Sequence, residues 1–288
     1  MVAKIEYIEK VIATYGEAAE ANLQTPGREG NVVVITAEEA DDVMITADLH
    51  GNRPNFNSIK KIADLDNQPR RHLILQEVCH GGPVYPTSGG CMSHTMLEDV
   101  ARMKVAFPNR VHFIISNHEL AEMTDYPIVK GEKMLNLQFR FGLQEMYGPA
   151  TEKVREAYLA FLRSCPLAVR MPGDVLACHS TPEKLEEVDF DPTIFTRELE
   201  PADMEQGGAL FSMVWGRDYR PENARRFAQL VGAQVLIHGH EPCPEGCKVP
   251  NDVQIILDCC GRPATYLILP TGEQLDHAQI AERIERLP

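Results

Sequence analysis

Residues 43–52 read Val-Met-Ile-Thr-Ala-Asp-Leu-His-Gly-Asn, an apolar run that ends in an acid, a histidine and a glycine. The same grammar recurs three times. VHFIIS leads into Ser116-Asn117-His118-Glu119, VLAC into Cys178-His179-Ser180, and QVLI into His238-Gly239-His240-Glu241-Pro242. A fifth run, HLILQE, ends on Glu77. Apolar runs of about 4–8 residues bounded by polar or Gly signals are how buried strands of an α/β sheet read. Residues placed just past the carboxyl ends of such strands converge on one edge of the sheet, where open α/β folds put their sites. The pattern thus predicts an Asp, a Glu, an Asn and several His at one rim. That set is too acidic for a structural zinc site and suits hard-to-borderline divalent metals. Asp48 and His50 stand two apart at a strand end, so both can reach one ion.

Working outward, residues 4–22 carry Ile5, Ile8, Val11, Ile12, Tyr15, Ala18 and Ala19 at helical spacing, which predicts an amphipathic N-terminal helix stopped by Pro26-Gly27. Residues 1–30 then form an N-terminal helical extension of one domain spanning 1–288, packed on the body. Asn31–Ile35 reads as a short strand, and residues 38–42 as a turn into the first core strand. Helical patterns follow at 55–65, 96–106, 135–164, 221–231 and 276–286. Residues 81–95, GGPVYPTSGGCMSHT, are too rich in turn formers for regular structure and form an insertion bordering the rim. Pro166 and Pro172-Gly173 break the chain before VLAC. Residues 182–212 read as an acidic, irregular, substrate-facing excursion. VQIILD and ATYLILP are two further strands near the end. Strands alternating with helices predict the α/β class.

The chain has 288 residues, 44% of them hydrophobic, enough for a large α/β core. No apolar stretch reaches the length of a membrane span, and the N-terminus is charged throughout, so a cytoplasmic protein with no membrane contact is the expectation. A formal net charge of −14 argues against nucleic acid as the main partner. It also means that metals and local Arg, and not the overall field, must draw in an anionic substrate. The eight cysteines lack a disulfide-scaffold spacing and read as buried small apolar residues. Cys243, Cys247, Cys259 and Cys260 allow a zinc knuckle as the alternative, at a spacing unlike the usual C-x₂-C pairs. Neither a P-loop nor a dinucleotide fingerprint is present, and no G-x-S-x-G nucleophile segment.

The order Asp48-x-His50-Gly51, then Gln76-Glu77-x-x-His80-Gly81-Gly82, then Ser116-Asn117-His118-Glu119, His179 and Gly239-His240 resembles the calcineurin-like metallophosphoesterases. Within them it is similar to the phosphoprotein phosphatase branch, which reads D-x-H-G, G-D-x-x-D-R-G, G-N-H-E, a lone His and G-H. Leu257-Asp258-Cys259 resembles the closing L-D-T-G strand, and Val214-Trp215-Gly216-Arg217-Asp218 the Trp segment that brings a phosphate-binding Arg. The resemblance runs from about Val43 to Leu269. It implies two stacked mixed β-sheets flanked by helices, an α/β/β/α sandwich.

It also implies a centre of two divalent ions (Mn, Fe or Zn) about 3.5–4 Å apart that activates a water against a phosphoester. Asp48, His50, Glu77, Asn117, His179 and His240 would be the ligands. His118 would be the proton donor to the leaving oxygen, since an imidazole titrates near neutral pH. Arg217, Arg53 and Asn117 would bind the phosphate; Arg220 reads as a solvated surface charge. His80, Glu119 and His238 would stand behind the ligands. Glu77 departs from the Asp that the family carries to bridge its metals, and His80 and Gly81 stand where it carries Asp and Arg. His80 therefore reads either as a replacement partner or as a surface loop residue. The implied substrate is a phosphorylated small molecule or a phosphoprotein. A phosphate- or protein-binding module that has lost catalysis, and a phosphodiesterase or dinucleoside polyphosphate hydrolase, remain alternatives, and the oligomeric state is open.

Overall fold

A computed structural model describes residues 2–288. Two mixed sheets stack on one another with helices on their outer sides. The larger has seven strands in the order Arg28–Glu29, Val32–Val34, Ala168–Met171, Val175–Cys178, Val235–His238, Gln254–Leu257 and Cys247–Lys248. The smaller runs Glu285–Arg286, Thr265–Pro270, Asp42–Ile45, Arg71–Gln76 and Val111–Ile114. Asp42–Ile45, Arg71–Gln76 and Val111–Ile114 are mutually parallel, with Met44 opposite Leu73 and Leu75 opposite Phe113. Val175–Cys178, Val235–His238 and Gln254–Leu257 are parallel in the other sheet. Four-residue strands such as VHFI, VLAC and VLIH are buried at every position. Such strands are covered on both faces, by the second sheet and by helices, which is why their sequences run apolar instead of alternating.

The parallel arrangement points five carboxyl ends at one rim. Each turn leaving that rim is fixed by its own residues. Asn52 caps the Arg53–Ala63 helix by accepting from Asn55 N at 3.1 Å, and Asp64 closes it in the left-handed conformation. The buried stripe of that helix is Phe56, Ile59 and Ala63. Ser116 caps a helix at Asn117–Thr124, its Oγ accepting from His118 N at 3.1 Å and Glu119 N at 3.4 Å.

The N-terminal helix, Ile5–Leu23, buries Ile8, Val11, Tyr15 and Ala18. It lies on the Thr151–Ser164 and His94–Ala106 helices, with the Tyr15 ring 5.9 Å from Phe161 and edge-on to Tyr158 at 6.3 Å. Burial of side chains this large contributes roughly 1.5–3 kcal/mol each. Residues 81–93 carry only an isolated bridge between Val84 and Cys91 before the helix begins at His94. The helical pattern at 135–164 divides at Gly148-Pro149 into Leu135–Tyr147 and Thr151–Ser164. The 182–212 stretch holds three short helices, at Pro192–Phe195, Pro201–Met204 and from Ala209 to Trp215. The terminal helix is shorter than its pattern implied: it spans His277–Ala281, and Glu285–Arg286 instead adds an edge strand beside Thr265–Tyr266.

Candidate metal centre

Asp48, His50, Glu77, Asn117, His118, His179 and His240 lie just past the ends of five strands, three in the smaller sheet and two in the larger. Backbone hydrogen bonds tie these loops together. Leu49 N and His50 N both donate to Glu77 O, at 2.8 and 3.0 Å, Gly239 N donates to His179 O at 3.2 Å, and Cys259 N to Asp48 O at 3.2 Å. Four of the residues here hold left-handed backbones although none is glycine: His50 at φ 42°, Glu77 at 44°, His80 at 61° and His240 at 67°. Such conformations cost of order 1–3 kcal/mol each and persist where the surrounding structure over-determines them.

Two groups of metal-type donors form, each with its ligand atoms within 4.8 Å of one another: His50, Glu77 and His118, and Glu77, His179 and His240. Glu77 belongs to both. Its Oε1 lies 2.9 Å from His50 Nε2, and its Oε2, 3.1 Å from His179 Nε2, has no hydrogen-bond partner of good geometry. Asn117 Oδ1 lies 2.8 Å from His179 Nε2 and 3.0 Å from His240 Nδ1. Asp48 accepts His240 N on both carboxylate oxygens at 3.0 Å.

The outer nitrogen of each imidazole decides what the inner one offers. His50 Nδ1 meets Cys79 O at 3.3 Å, His179 Nδ1 meets Gln76 Oε1 at 2.7 Å, and His240 Nε2 meets Trp215 O at 3.2 Å. All three partners are acceptors, since Gln76 uses its Nε2 to donate to Thr46 O at 2.9 Å. Each outer nitrogen therefore carries the proton, an assignment made from its partner. His50 Nε2, His179 Nε2 and His240 Nδ1 then face the centre, beside Asn117 Oδ1 and a Glu77 oxygen without a hydrogen-bond partner of good geometry. Nitrogen and oxygen atoms converging in this way fit a divalent cation, which would displace the protons of the inner nitrogens and take a lone pair from each. An acceptor on the far nitrogen is how metal-binding imidazoles are oriented.

Charge follows the same geometry. Burial raises the Asp48 carboxyl, and repulsion from Glu77 adds to it, up to about 7. Burial opposes protonation of His50, but the adjoining Glu77 and then Asp48 carboxylates outweigh it and push His50 up to about 10. The same contest raises His179. For Glu77, burial is overcome by His118, His50 and His179, which hold it well below the usual carboxylate range. Burial, then His179 and Arg217, hold His240 well below the usual imidazole range.

The remaining residues singled out in the sequence divide. His118 is the third member of the first donor group, edge-on to His50 with ring centroids 4.6 Å apart. Glu119 is wholly buried, accepting Val78 N and Cys79 N at 3.1 and 2.9 Å and Ser116 Oγ, so it holds the loop after Glu77. His80 is 2% exposed, with its Nδ1 2.9 Å from His118 Nδ1. His238 is buried away from the ligands, 3.1 Å from Gln254 Nε2 and stacked on Tyr219. The Arg217 guanidinium donates to His240 O at 3.0 Å and lies 3.4 Å from Glu241. Arg53 turns instead to Asp99 and Thr95, and Arg220 is held by Asp218 and Glu186. Gly81 sits at φ 143° with an added Cβ 2.5 Å from His50 O, so the rim has no room there for a longer residue. A cavity of about 860 Å³ opens beside Trp215 and Gly216, lined also by Glu183, Lys184 and Asp189 of the acidic stretch. All eight cysteines are free, and none belongs to a metal-type group among the described residues.

Two residues escaped the sequence reading. Gln76 stood only as a departure from glycine, whereas its carbonyl orients His179. Glu122 passed unnoticed, although its place four residues after His118 on one helix face was the available signal. Among the described residues no helix is long and apolar enough to cross a membrane.

Known proteins share this fold. The yeast (Saccharomyces cerevisiae) protein serine/threonine phosphatase with similarity to human phosphatase PP5 superposes with TM-score 0.69 at 16% identity, covering 97% of this chain and 89% of that one. The cold-active protein-tyrosine phosphatase of a psychrophile, Shewanella sp., gives TM-score 0.59 at 12% identity, with 93% and 84% covered. At such identities the likeness is one of fold. No curated protein matches the chain in sequence. Residues 42–244, which carry every donor described above, match the calcineurin-like phosphoesterases. The chain belongs to the calcineurin-like phosphoesterase family.

Proposed function

We propose that this phosphoesterase is a dimetal-dependent hydrolase of phosphomonoesters, acting on a phosphoprotein or a nucleotide-type substrate. The observation that carries the reading is the shared carboxylate: one Glu77 closes two donor groups at once. His179, His240, Asn117 and Glu77 would hold one ion, and Asp48, His50 and Glu77 the other, with Mn, Fe or Zn suited to the mixed oxygen and nitrogen set. Two divalent cations there would hold a phosphoryl group, acidify a water and offset charge in an in-line displacement.

The chain's own residues supply the rest. His118 gives its Nε2 proton to the leaving oxygen as the P–O bond breaks. The Asn117 amide, fixed by the first turn of its helix, positions a phosphate oxygen. Arg217, its side chain nearly half exposed, takes another through the N–H groups that His240 O and Glu241 leave free. No side chain needs to act as nucleophile. Turnover of p-nitrophenyl phosphate with added Mn²⁺ tests the reading. Asn117→Ala and His118→Asn are each expected to lower kcat by about 10²-fold or more. Unchanged turnover in both variants would rule these roles out.

A further inference from the structure

Beside the loop that follows Glu77 stands a two-stranded hairpin. Val129–Lys130 and Lys133–Met134 pair antiparallel, and Gly131, at φ 62°, opens the two-residue turn between them. The register sets Lys130 directly opposite Lys133, so both side chains leave the same face of the ribbon, where like charges repel. Asp125, the acid that precedes the hairpin in the chain, is taken by Arg140 and Arg155, and neither lysine makes an ion pair among the described residues. The tip is exposed but the base is fixed. Leu135 N donates to Ile128 O and Ile128 N to Asn136 Oδ1, both at 2.8 Å. Asn136 is buried and donates to Ala121 O at 3.4 Å, on the helix that begins at Asn117.

Both lysines line a cavity of about 260 Å³ together with Gly81, Gly82 and Gln138. That cavity shares a wall with the donor cluster. A Cβ on Gly81 would stand 2.5 Å from His50 O and 3.0 Å from His50 Cβ, and one on Gly82 2.4 Å from Gly51 O, so the two glycines pack directly on the Asp48 loop. Lys130 reaches that loop from a second direction. Its charge acts on Cys260, opposing the rise that burial and then Asp258 impose on the thiol, and Cys260 O accepts Asn52 Nδ2 at 2.9 Å. The larger cavity beside Trp215 has the opposite character, with Glu183, Asp189 and Glu205 against a single Lys184. An anionic group next to the scissile phosphate is repelled there and drawn to the lysines.

We propose that Lys130 and Lys133 form a second anion subsite, which takes a phosphate group neighbouring the one to be cleaved, so that the preferred substrate carries two phosphates. The proposal rests on the reading that the donor cluster, once loaded, holds a phosphoryl group. A phosphate monoester carries roughly −1.5 to −2 charge near neutral pH and offers three oxygens, enough to meet both ammonium groups. The cavity is smaller than the pockets of about 300–1,000 Å³ that enclose whole ligands, and suits one such group.

Non-hydrolysable phosphonates read the subsite by isothermal titration calorimetry of the Mn²⁺-loaded chain, without requiring turnover. Propane-1,3-diphosphonate is expected to bind wild type about tenfold or more tighter than propylphosphonate, which has the same carbon chain and one anionic end. In Lys130→Met with Lys133→Met that preference should fall to about twofold, the statistical value for two equivalent ends. Propylphosphonate affinity, metal content and kcat for p-nitrophenyl phosphate should not move. Equal affinity of the two phosphonates for wild type, or no binding of either, would overturn the proposal. So would a preference that survives the double variant, or one lost as fully in Lys10→Met with Lys61→Met, which removes the same charge from exposed positions elsewhere. 4-Phosphonobutanoate, with a carboxylate in place of the second phosphonate, should gain less than the diphosphonate, and an equal gain would overturn the assignment to phosphate. If wild type shows the lysine-dependent preference yet turns over no p-nitrophenyl phosphate with any added divalent ion, the hydrolase reading fails and the subsite stands.

Discussion

Side chains at the rim hold one another before any ion is considered. Gln76 is the clearest case, since a carboxamide that donates to Thr46 O has only its oxygen left for His179. Gln76→Leu keeps the volume and removes that acceptor. It should weaken metal binding by about 10–100-fold while leaving the fold intact. Metal titration followed by circular dichroism checks this, and unaltered affinity would mean that His179 needs no such partner. Gly239 works by absence: an added Cβ would stand 2.2 Å from Asp48 Oδ1 and 3.2 Å from Ala47 Cβ. Gly239→Ala should therefore displace Asp48 from His240 N and lower both metal content and turnover. An alanine variant with full metal content would show that the Asp48 loop can yield.

At the level of elements, the strand-to-ligand grammar was legible because it is local. Five apolar runs, each ending on a polar pair, gave the parallel strands and the rim directly. Ala168–Met171 was not legible, since Pro166 and Pro172 bracket it and it is paired antiparallel to Val175–Cys178 through a tight turn at Gly173. The Asn117–Thr124 helix was hidden for the opposite reason. Its first residues match the ligand motif G-N-H-E, and the cap, Ser116, stands in the place of that motif's glycine. The terminal helix was overextended because apolar spacing continues through Ile284, where tertiary pairing with Thr265–Tyr266 wins. The site's departures were the least legible part. Whether His80 faced solvent or His118 depends on a left-handed backbone at residue 80 and on Glu122, 42 residues away. Ser116→Ala removes both the cap and a donor to Glu119, and should destabilise the protein by about 1–2 kcal/mol. The denaturant midpoint measures this, and no change would mean that the helix is held by packing alone.

Over the whole molecule, the end of the smaller sheet far from the rim carries a second histidine pair with a different consequence. His72 Nδ1 lies 3.0 Å from His112 Nε2, and both residues are buried. Burial, with Arg110 adding to it, lowers His72 to about 4, and burial holds His112 well below its ordinary value. Both are therefore neutral in the fold, whereas an unfolded His titrates near 6.5. Between about pH 6.5 and 4 the unfolded chain binds more protons, so stability is fully present above 6.5 and is lost as pH falls. For His72 the loss amounts to up to about 3 kcal/mol. Melting temperatures at pH 7.5 and 5 should fall further in wild type than in His72→Gln, and equal falls would place the acid sensitivity elsewhere.

The claim on which the rest depends is that Glu77 joins two metal sites in one centre. Elemental mass spectrometry of the purified chain, wild type beside Glu77→Gln, tests it most directly. About two divalent ions per chain in the wild type and fewer than one in Glu77→Gln are expected, because the lost carboxylate serves both donor groups. One ion per chain in the wild type, or two ions retained without the Glu77 carboxylate, would contradict it.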